Sequence, residues 1–215
     1  MKNIRTLLFD LDGTLVDSRR DLSNAVNYAL ESVGEPRQRE EEIVPHVGNG
    51  LRVLLSEVMG PVPDDTLEKA IQSFSIYYDQ HCIDHTILYE GVKAVMFELS
   101  RDRKIGVVTN KPESFSRKII EHLGLSRVVN VVVGGDSLPE KKPHPAPVLK
   151  AIRDLGAAVP TTLILGDGVQ DIQAGQSAGI LTGIARYGYG FRSESLDLKP
   201  DFHIHRFTEL KEILK

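Results

Sequence analysis

A chain of 215 residues, 41% hydrophobic and 26% charged, has the makeup of a folded globular protein with one full core and room for a smaller second one, which excludes a disordered chain. A formal net charge of -4 excludes the lysine- and arginine-rich footprint with which proteins grip nucleic acid or an anionic membrane, so the expected partner is a small molecule. The single cysteine, Cys82, makes neither an internal disulfide nor a cysteine-based zinc site and reads as filler, while the apolar run that stops at Phe9 is too short for a signal-peptide core or a membrane span. A cytoplasmic monomer or homodimer is expected.

In chain order, residues 4–9 are apolar without alternation, the pattern of a parallel strand buried on both faces. The next convincing strand starts at Ile105, roughly a hundred residues on, where an ordinary crossover needs only a dozen or more. Something is inserted between them. The insert opens with Asp17 or Ser18 as helix cap, followed by a helical face of Leu22, Val26, Ala29, Leu30 and Val33 that ends at Gly34. A second face, Leu51, Leu54, Leu55 and Val58, stops at Gly60 and Pro61, and a third spans about 64–80 with Leu67, Ile71, Phe74 and Tyr78. Three such faces need a common core, so 16–88 is expected to be a helical cap domain. Residues 1–15 and 89–215 then form the main domain, entered again through Glu90 and Gly91. Its further strands are expected at 105–109, 128–133, 162–165 and 180–185, and its helices at 113–123, 145–155 and 169–178. That alternation predicts an α/β fold, a doubly wound, Rossmann-like parallel sheet.

Asp10 and Asp12 fall at the carboxyl end of the first strand, where open α/β sheets build their ligand crevice. Alone, Asp12-Gly13 reads first as a turn. The strand at 162–165 also ends in acid, however, with Asp167 and then Asp171 one helical turn on, and two such strand ends make the oxygen-rich site that Mg²⁺ prefers. A third strand end supplies Thr109, Asn110 and Lys111: a hydroxyl, an amide and a cation. Lys142, stiffened by Pro143 and Pro145, can serve as a fixed positive charge for an anion.

Taken together, DLDGT (10–14), VVTN (107–110), KPHP (142–145) and GDGVQD (166–171) resemble, in order and over nearly the whole chain, the motifs of the haloacid dehalogenase superfamily of phosphohydrolases, with the insert in the place of its helical cap. VGNGLRVLL (47–55), KPHPAP and PDFHIHRFTEL are most similar to the phosphoglycolate phosphatases of that superfamily. The resemblance implies a Mg²⁺-dependent phosphomonoesterase acting on a small phosphorylated metabolite. Asp10 would be the nucleophile that becomes an aspartyl phosphate, and Asp12 the general acid and base. Asp10, the Asp12 carbonyl and Asp167 would hold Mg²⁺ with Asp171 in support, while Thr109, the Asn110 amide and Lys142 would bind phosphoryl oxygens beside the close-approaching Gly13. Arg52, after Gly48-Asn49-Gly50 on the cap, is expected to pair with a substrate carboxylate; the alternative is a solvated arginine.

Gly168 stands where the superfamily has Ser or Thr, and Glu90 where relatives have Pro. His81 and His85, spaced i, i+4, read as cap surface ahead of a metal pair; His144 reads as structural, and His203 and His205 as surface residues. The Glu40–42 run reads as a solvated face, and Tyr187 to Phe191 as a loop that either borders the site or packs. Other reactions of the same fold stay open: a pyrophosphatase, a sugar-phosphate phosphatase or a phosphoglucomutase. From a different class there is a non-catalytic regulatory binding protein, against which the intact acids and lysine argue.

Overall fold

The computed structural model describes residues 3–215, and in it the first apolar run is β1 (Thr6–Phe9), buried along its whole length. Leu7 and Phe9 point into one core layer and Leu8 into the other, as the period of two requires. Past β1 the chain makes a tight turn in which the Leu11 carbonyl accepts the N–H groups of Thr14, Leu15 and Val16, and Gly13 adopts φ 79°. The turn leads into β2 (Val16–Asp17) and α1 (Arg19–Ser32). Ser18 is the cap residue of α1, but its hydroxyl makes no capping bond and is used elsewhere.

Helix α1 buries Leu22, Ala25, Val26, Ala29 and Leu30 and packs chiefly on α4. Between them come α2 (Glu40–Ile43) and α3 (Leu51–Met59), which begins at Gly50 with φ 93° and ends at Gly60 with φ 70°. Helix α4 (Asp64–His81) buries Leu67, Ala70, Phe74 and Tyr78; Ile71, expected on this stripe, is only half-buried. The chain then forms β3 (Ile87–Leu88), which pairs antiparallel with β2. This ribbon corrects the expectation of no strand between the first two sheet strands. Two-residue strands have no period to read.

Gly91 at φ 80° turns the chain into α5 (Val92–Leu99), a left-handed backbone angle that glycine adopts without strain. There follow β4 (Lys104–Val108), α6 (Glu113–His122), β5 (Val131–Val133), α7 (Ala146–Asp154), β6 (Thr162–Gly166), α8 (Val169–Ser177), β7 (Leu181–Ala185), β8 (Phe202–Ile204) and α9 (Leu210–Ile213). The strand expected at 128–133 shortens to three residues because the N–H groups of Val128 and Val129 both turn back to the Leu125 carbonyl.

Among the described residues, six strands form a parallel sheet in the order β5-β4-β1-β6-β7-β8. Its α/β, doubly wound, Rossmann-like character agrees with the sequence. Helices α7 and α8 cover one face around Leu8, Val108 and Ile164; α5 and α6 cover the other around Leu7, Phe9 and Leu165, a layer continuous with the core of α1, α3 and α4. Strand β1 lies at the centre, between β4 and β6, in register with Phe9 opposite both Val107 and Leu165. The sequence changes direction across the sheet at β1, so the carboxyl ends of β1, β4 and β6 open the crevice where such sheets bind ligands. No described helix is long and apolar enough to cross a membrane.

Candidate active site

Asp10 is the first residue past β1, its N–H donating to the Leu165 carbonyl at 3.0 Å. Asp167 is the first past β6, and Asp171 occupies the first turn of α8, where its Oδ2 accepts the Gly168 N–H at 3.1 Å. Register and helix geometry thus bring three carboxylates together, each offering an oxygen within 4.8 Å of the others, and all three are buried. Lys142 lies among them with its side chain 1% exposed. Its Nζ donates to Asp171 Oδ1 at 2.5 Å and to the Val108 carbonyl at 2.7 Å, and stands 3.0 Å from Asp10 Oδ1.

One ammonium does not balance three buried carboxylates. Burial raises the Asp10 carboxyl to about 6 against the opposing pull of Lys142, and Asp171 and Asp12 push in the same direction as burial. Burial likewise holds Asp167 well above the carboxylate range, reinforced by Asp10 and Asp171. Burial alone would lower Lys142, but Asp10 and Asp171 outweigh it and its affinity for the proton rises. Asp10 Oδ1 has no hydrogen bond among the described residues, since Lys142 is near but off the direction a bond needs. An excess of buried negative charge with an unbonded carboxylate oxygen is the chemistry of a cation site. Glycines shape its wall: a Cβ at Gly13, Gly188 or Gly190 would run into the Asp167 side chain. Asp167 itself is tied by the Gly190 N–H at 2.7 Å, and Thr14 Oγ1 stands 3.5 Å from its other oxygen. Asp10, Asp167 and Asp171 are thus fit to hold a divalent, oxygen-seeking metal ion.

Asp12 is held separately. Lys111 Nζ lies 3.0 and 2.9 Å from its two oxygens, and Ser18 donates to it at 2.5 Å, with the Tyr189 hydroxyl 3.0 Å from Ser18. The side chain of Lys111 is 4% exposed, and its ammonium stands 4.6 Å from the centre of the Tyr78 ring. Asn110 fixes the lysine segment on the other side. Its amide accepts from the Lys142 N–H at 2.9 Å and donates to the Lys142 carbonyl at 2.8 Å and to the Gly48 carbonyl, on the segment before α3, at 2.9 Å. Thr109 is buried at the end of β4, its hydroxyl oxygen accepting the Lys111 N–H at 3.3 Å.

These groups floor a cavity of about 40 Å³, room for a few waters at most. Asp10, Asp12, Thr109, Asn110 and Lys111 line it from the sheet side, and Leu22, Leu51, Leu54, Phe74 and Tyr78 from the helical side. The structure therefore gathers Asp10, Asp12, Gly13, Thr109, Asn110, Lys142, Asp167 and Asp171 in one place.

Arg52 is the exception. It is ion-paired with Glu68 on α4, both side chains half-exposed at 53% and 55%, and it does not line the cavity. Leu51, Leu54, Leu55 and Val58 turn inward from α3, so Arg52 faces outward between them. In this structure Arg52 takes the surface position that was the alternative reading, paired with Glu68. Sequence reading placed Lys111 at the rim as a cation and Ser18 as a helix cap, but did not foresee that both grip Asp12. Lys111 carried a signal as the third polar residue at the end of β4; Ser18 looked only like a helix cap. The loop at 187–191 borders the site: Tyr187 donates to the Thr14 carbonyl at 2.7 Å, and Gly190 and Tyr189 reach Asp167 and Ser18. His81 and His85 share no ligand position, pairing with Asp84 and Asp21 respectively. His144 accepts the Ala146 N–H at 3.2 Å, a local structural bond, and His203 and His205 are exposed and face each other. The Glu40–42 run is exposed, with Glu41 and Glu42 paired to Arg39.

The profile of the haloacid dehalogenase-like hydrolases matches residues 7–185. The phosphoglycolate phosphatase of Aquifex aeolicus is 35% identical over 212 residues, covering 98% of this chain and 97% of that protein. The phosphoglycolate phosphatase of Nitrosococcus oceani is 34% identical over 100% of this chain and 98% of its own length. Among solved structures, one described as a predicted phosphoglycolate phosphatase from Haemophilus somnus superposes with a TM-score of 0.93 at 31% identity, covering 100% of both chains.

Proposed function

Because this chain belongs to the haloacid dehalogenase-like hydrolases and is a phosphatase, we propose that it is a Mg²⁺-dependent phosphomonoesterase that acts through an aspartyl phosphate on Asp10, with 2-phosphoglycolate as its substrate. The observation that carries this reading is the separation of two acids one residue apart: Asp10 in the buried trio with Lys142, Asp12 withdrawn onto Lys111 and Ser18. Two carboxylates with different surroundings suit two different tasks, provided that a divalent ion in the trio holds Asp10 ionised, as a nucleophile must be, while Asp12 stays outside that trio. The phosphatase names of relatives matched along the whole chain support the substrate.

In this reading Asp10 attacks the substrate phosphorus, forming a P–O bond as the bond to the leaving alkoxide breaks. Lys142, immobilised by Asp171 and by both bonds from Asn110, offers fixed positive charge to the phosphoryl oxygens, and the Thr109 hydroxyl and Asn110 N–H complete their cradle. Asp12 must be protonated to give its proton to the leaving oxygen, and the carboxylate left behind, held by Lys111 and Ser18, then takes a proton from the water that attacks the aspartyl phosphate. Mg²⁺ held by Asp10, Asp167 and the Asp12 carbonyl, with Asp171 behind them, would supply the charge that offsets repulsion between nucleophile and phosphate. Residues 16–88 serve as a cap in this account, since their helices supply Leu22, Leu51, Leu54, Phe74 and Tyr78 to the wall of the cavity opposite the acids.

Phosphate release from 2-phosphoglycolate and from p-nitrophenyl phosphate, measured with Mg²⁺ and with EDTA, tests the proposal. Turnover of both that disappears in EDTA is expected. No release from either would favour a regulatory binding protein, and turnover of sugar phosphates in preference to 2-phosphoglycolate would transfer the substrate assignment.

A further inference from the structure

Phosphate-binding residues are blind to what the phosphate is attached to, so selection must come from groups on the cavity's other wall. Most of that wall is apolar: Leu22, Leu51, Leu54 and Phe74. One polar side chain interrupts it. Tyr78 is 0% exposed, lines the cavity, and its hydroxyl has no hydrogen-bond partner among the described residues. A buried hydroxyl left unbonded costs folding free energy that phenylalanine at the same place would not. Its ring is nevertheless firmly seated, stacked on Phe74 at 5.1 Å between centroids and edge-on to Phe115 at 5.2 Å.

Two further observations indicate what the hydroxyl is for. The Lys111 ammonium lies over the Tyr78 ring and uses two bonds on Asp12, leaving one N–H of its three. Helix α3 begins at the same cavity: Gly50 and Leu51 line it, and no described side chain caps its first turn. Asp10 and Asp12 also line this space, but Lys111 answers Asp12 and a metal ion would answer Asp10, so a neutral donor, the spare ammonium N–H and the positive end of a helix remain to receive an anion.

The geometry points to Tyr78 as the residue that recognises the substrate's second anionic group, its hydroxyl donating to a carboxylate that also receives Lys111 and the first turn of α3. The inference rests on the phosphoglycolate reading and deepens it: the preferred substrates are small phosphate esters carrying a carboxylate close to the ester oxygen. It also replaces Arg52 as the source of selection, because the Arg52 guanidinium is engaged with Glu68 outside the cavity.

The test compares kcat/KM for 2-phosphoglycolate with that for ethyl phosphate, which has a methyl group in place of the carboxylate, in wild type, Tyr78→Phe and Arg52→Ala. Wild type should prefer 2-phosphoglycolate. Tyr78→Phe should lower that preference by about ten- to a hundredfold, chiefly through a higher KM for 2-phosphoglycolate, the usual range for a hydrogen bond to a charged group. Arg52→Ala should retain the preference. Thermal unfolding checks that Tyr78→Phe is folded, and a Tm equal to or above that of wild type is expected because an unbonded buried hydroxyl is removed. A Tyr78→Phe enzyme that keeps the full preference overturns the inference, as does an equal loss on both substrates, which would place the hydroxyl in the chemical step. If wild type itself shows no preference, the phosphoglycolate reading fails and the inference falls with it; loss of the preference in Arg52→Ala alone restores the arginine.

Discussion

At the scale of single residues, the account turns on what surrounds each acid, and Gly168 is the residue where surroundings and family pattern part. Its backbone is extended, at φ -111° and ψ 163°, so a side chain is not excluded by backbone angle. A Cβ there would meet the amide of Gln170, the mobile end of a long side chain. Gly168→Ser should therefore fold, displace Gln170 and place a hydroxyl beside the Asp167 and Asp171 pair. The expected result is tighter apparent Mg²⁺ binding, by up to about tenfold, in magnesium titrations of activity. An unchanged or weaker affinity in the folded variant rejects a role for the missing hydroxyl. The main site acids were legible from the sequence because each ends an apolar run, and a strand end is a place the sequence marks twice, by pattern and by chemistry. Tyr78 was not, since a tyrosine on a helical apolar stripe reads as core until its hydroxyl is seen without a partner. The position of Arg52 was open for a related reason: the face a helix shows to a cavity depends on its rotation in the fold, which its own sequence does not set.

At the scale of elements, the joint between the sheet and the helices above it depends on a buried carboxylate outside the catalytic group. Asp21 on α1, 1% exposed, accepts the N–H groups of His85 and Thr86, the Thr86 hydroxyl at 2.8 Å and the His85 ring at 2.9 Å. It ties α1 to the segment that leads into β3. Asp21→Ala strands two main-chain donors and a hydroxyl, a loss of about 3 kcal/mol. For a chain of this size that lowers Tm by roughly 6 to 12 °C in a thermal melt, and a change within about 1 °C would mean that the segment finds water instead. The sequence shows α1, α3, α4 and the main sheet strands through their periods, but not this joint: β2 and β3 are two residues each, and contacts between residues 21 and 85 are set by packing. It overstated β5 for the same reason, because valines at 128 and 129 look identical in a strand and in a buried turn.

At the scale of the whole molecule, the site charges make stability depend on pH and metal together. The Asp10 carboxyl is raised from 3.8 to about 6 by burial, and that of Asp167 is raised also. An acid raised in the folded state binds its proton more tightly there than in the unfolded chain, so stability is lost as pH climbs from the unfolded value through the folded one. In EDTA, Tm should accordingly fall between about pH 4 and 6 from Asp10 alone, and Mg²⁺ should raise Tm more at pH 7 than at pH 5 because it binds only the folded, deprotonated site. A stabilisation by Mg²⁺ that does not grow with pH would contradict the assignment of these carboxylates to the metal. The central claim is chemical: Asp10 carries the phosphoryl group and Asp12 manages the proton. It is tested most directly by mixing Mg²⁺-loaded Asp12→Asn protein with p-nitrophenyl phosphate, quenching in acid and reading peptide masses, since this leaving group departs without a proton while the intermediate lacks its base. The account predicts one added phosphoryl group on the peptide that contains Asp10, and none when Asp10→Asn is combined with it. Turnover at the wild-type rate by Asp10→Asn alone, or a phosphoryl group on any other residue, would contradict it.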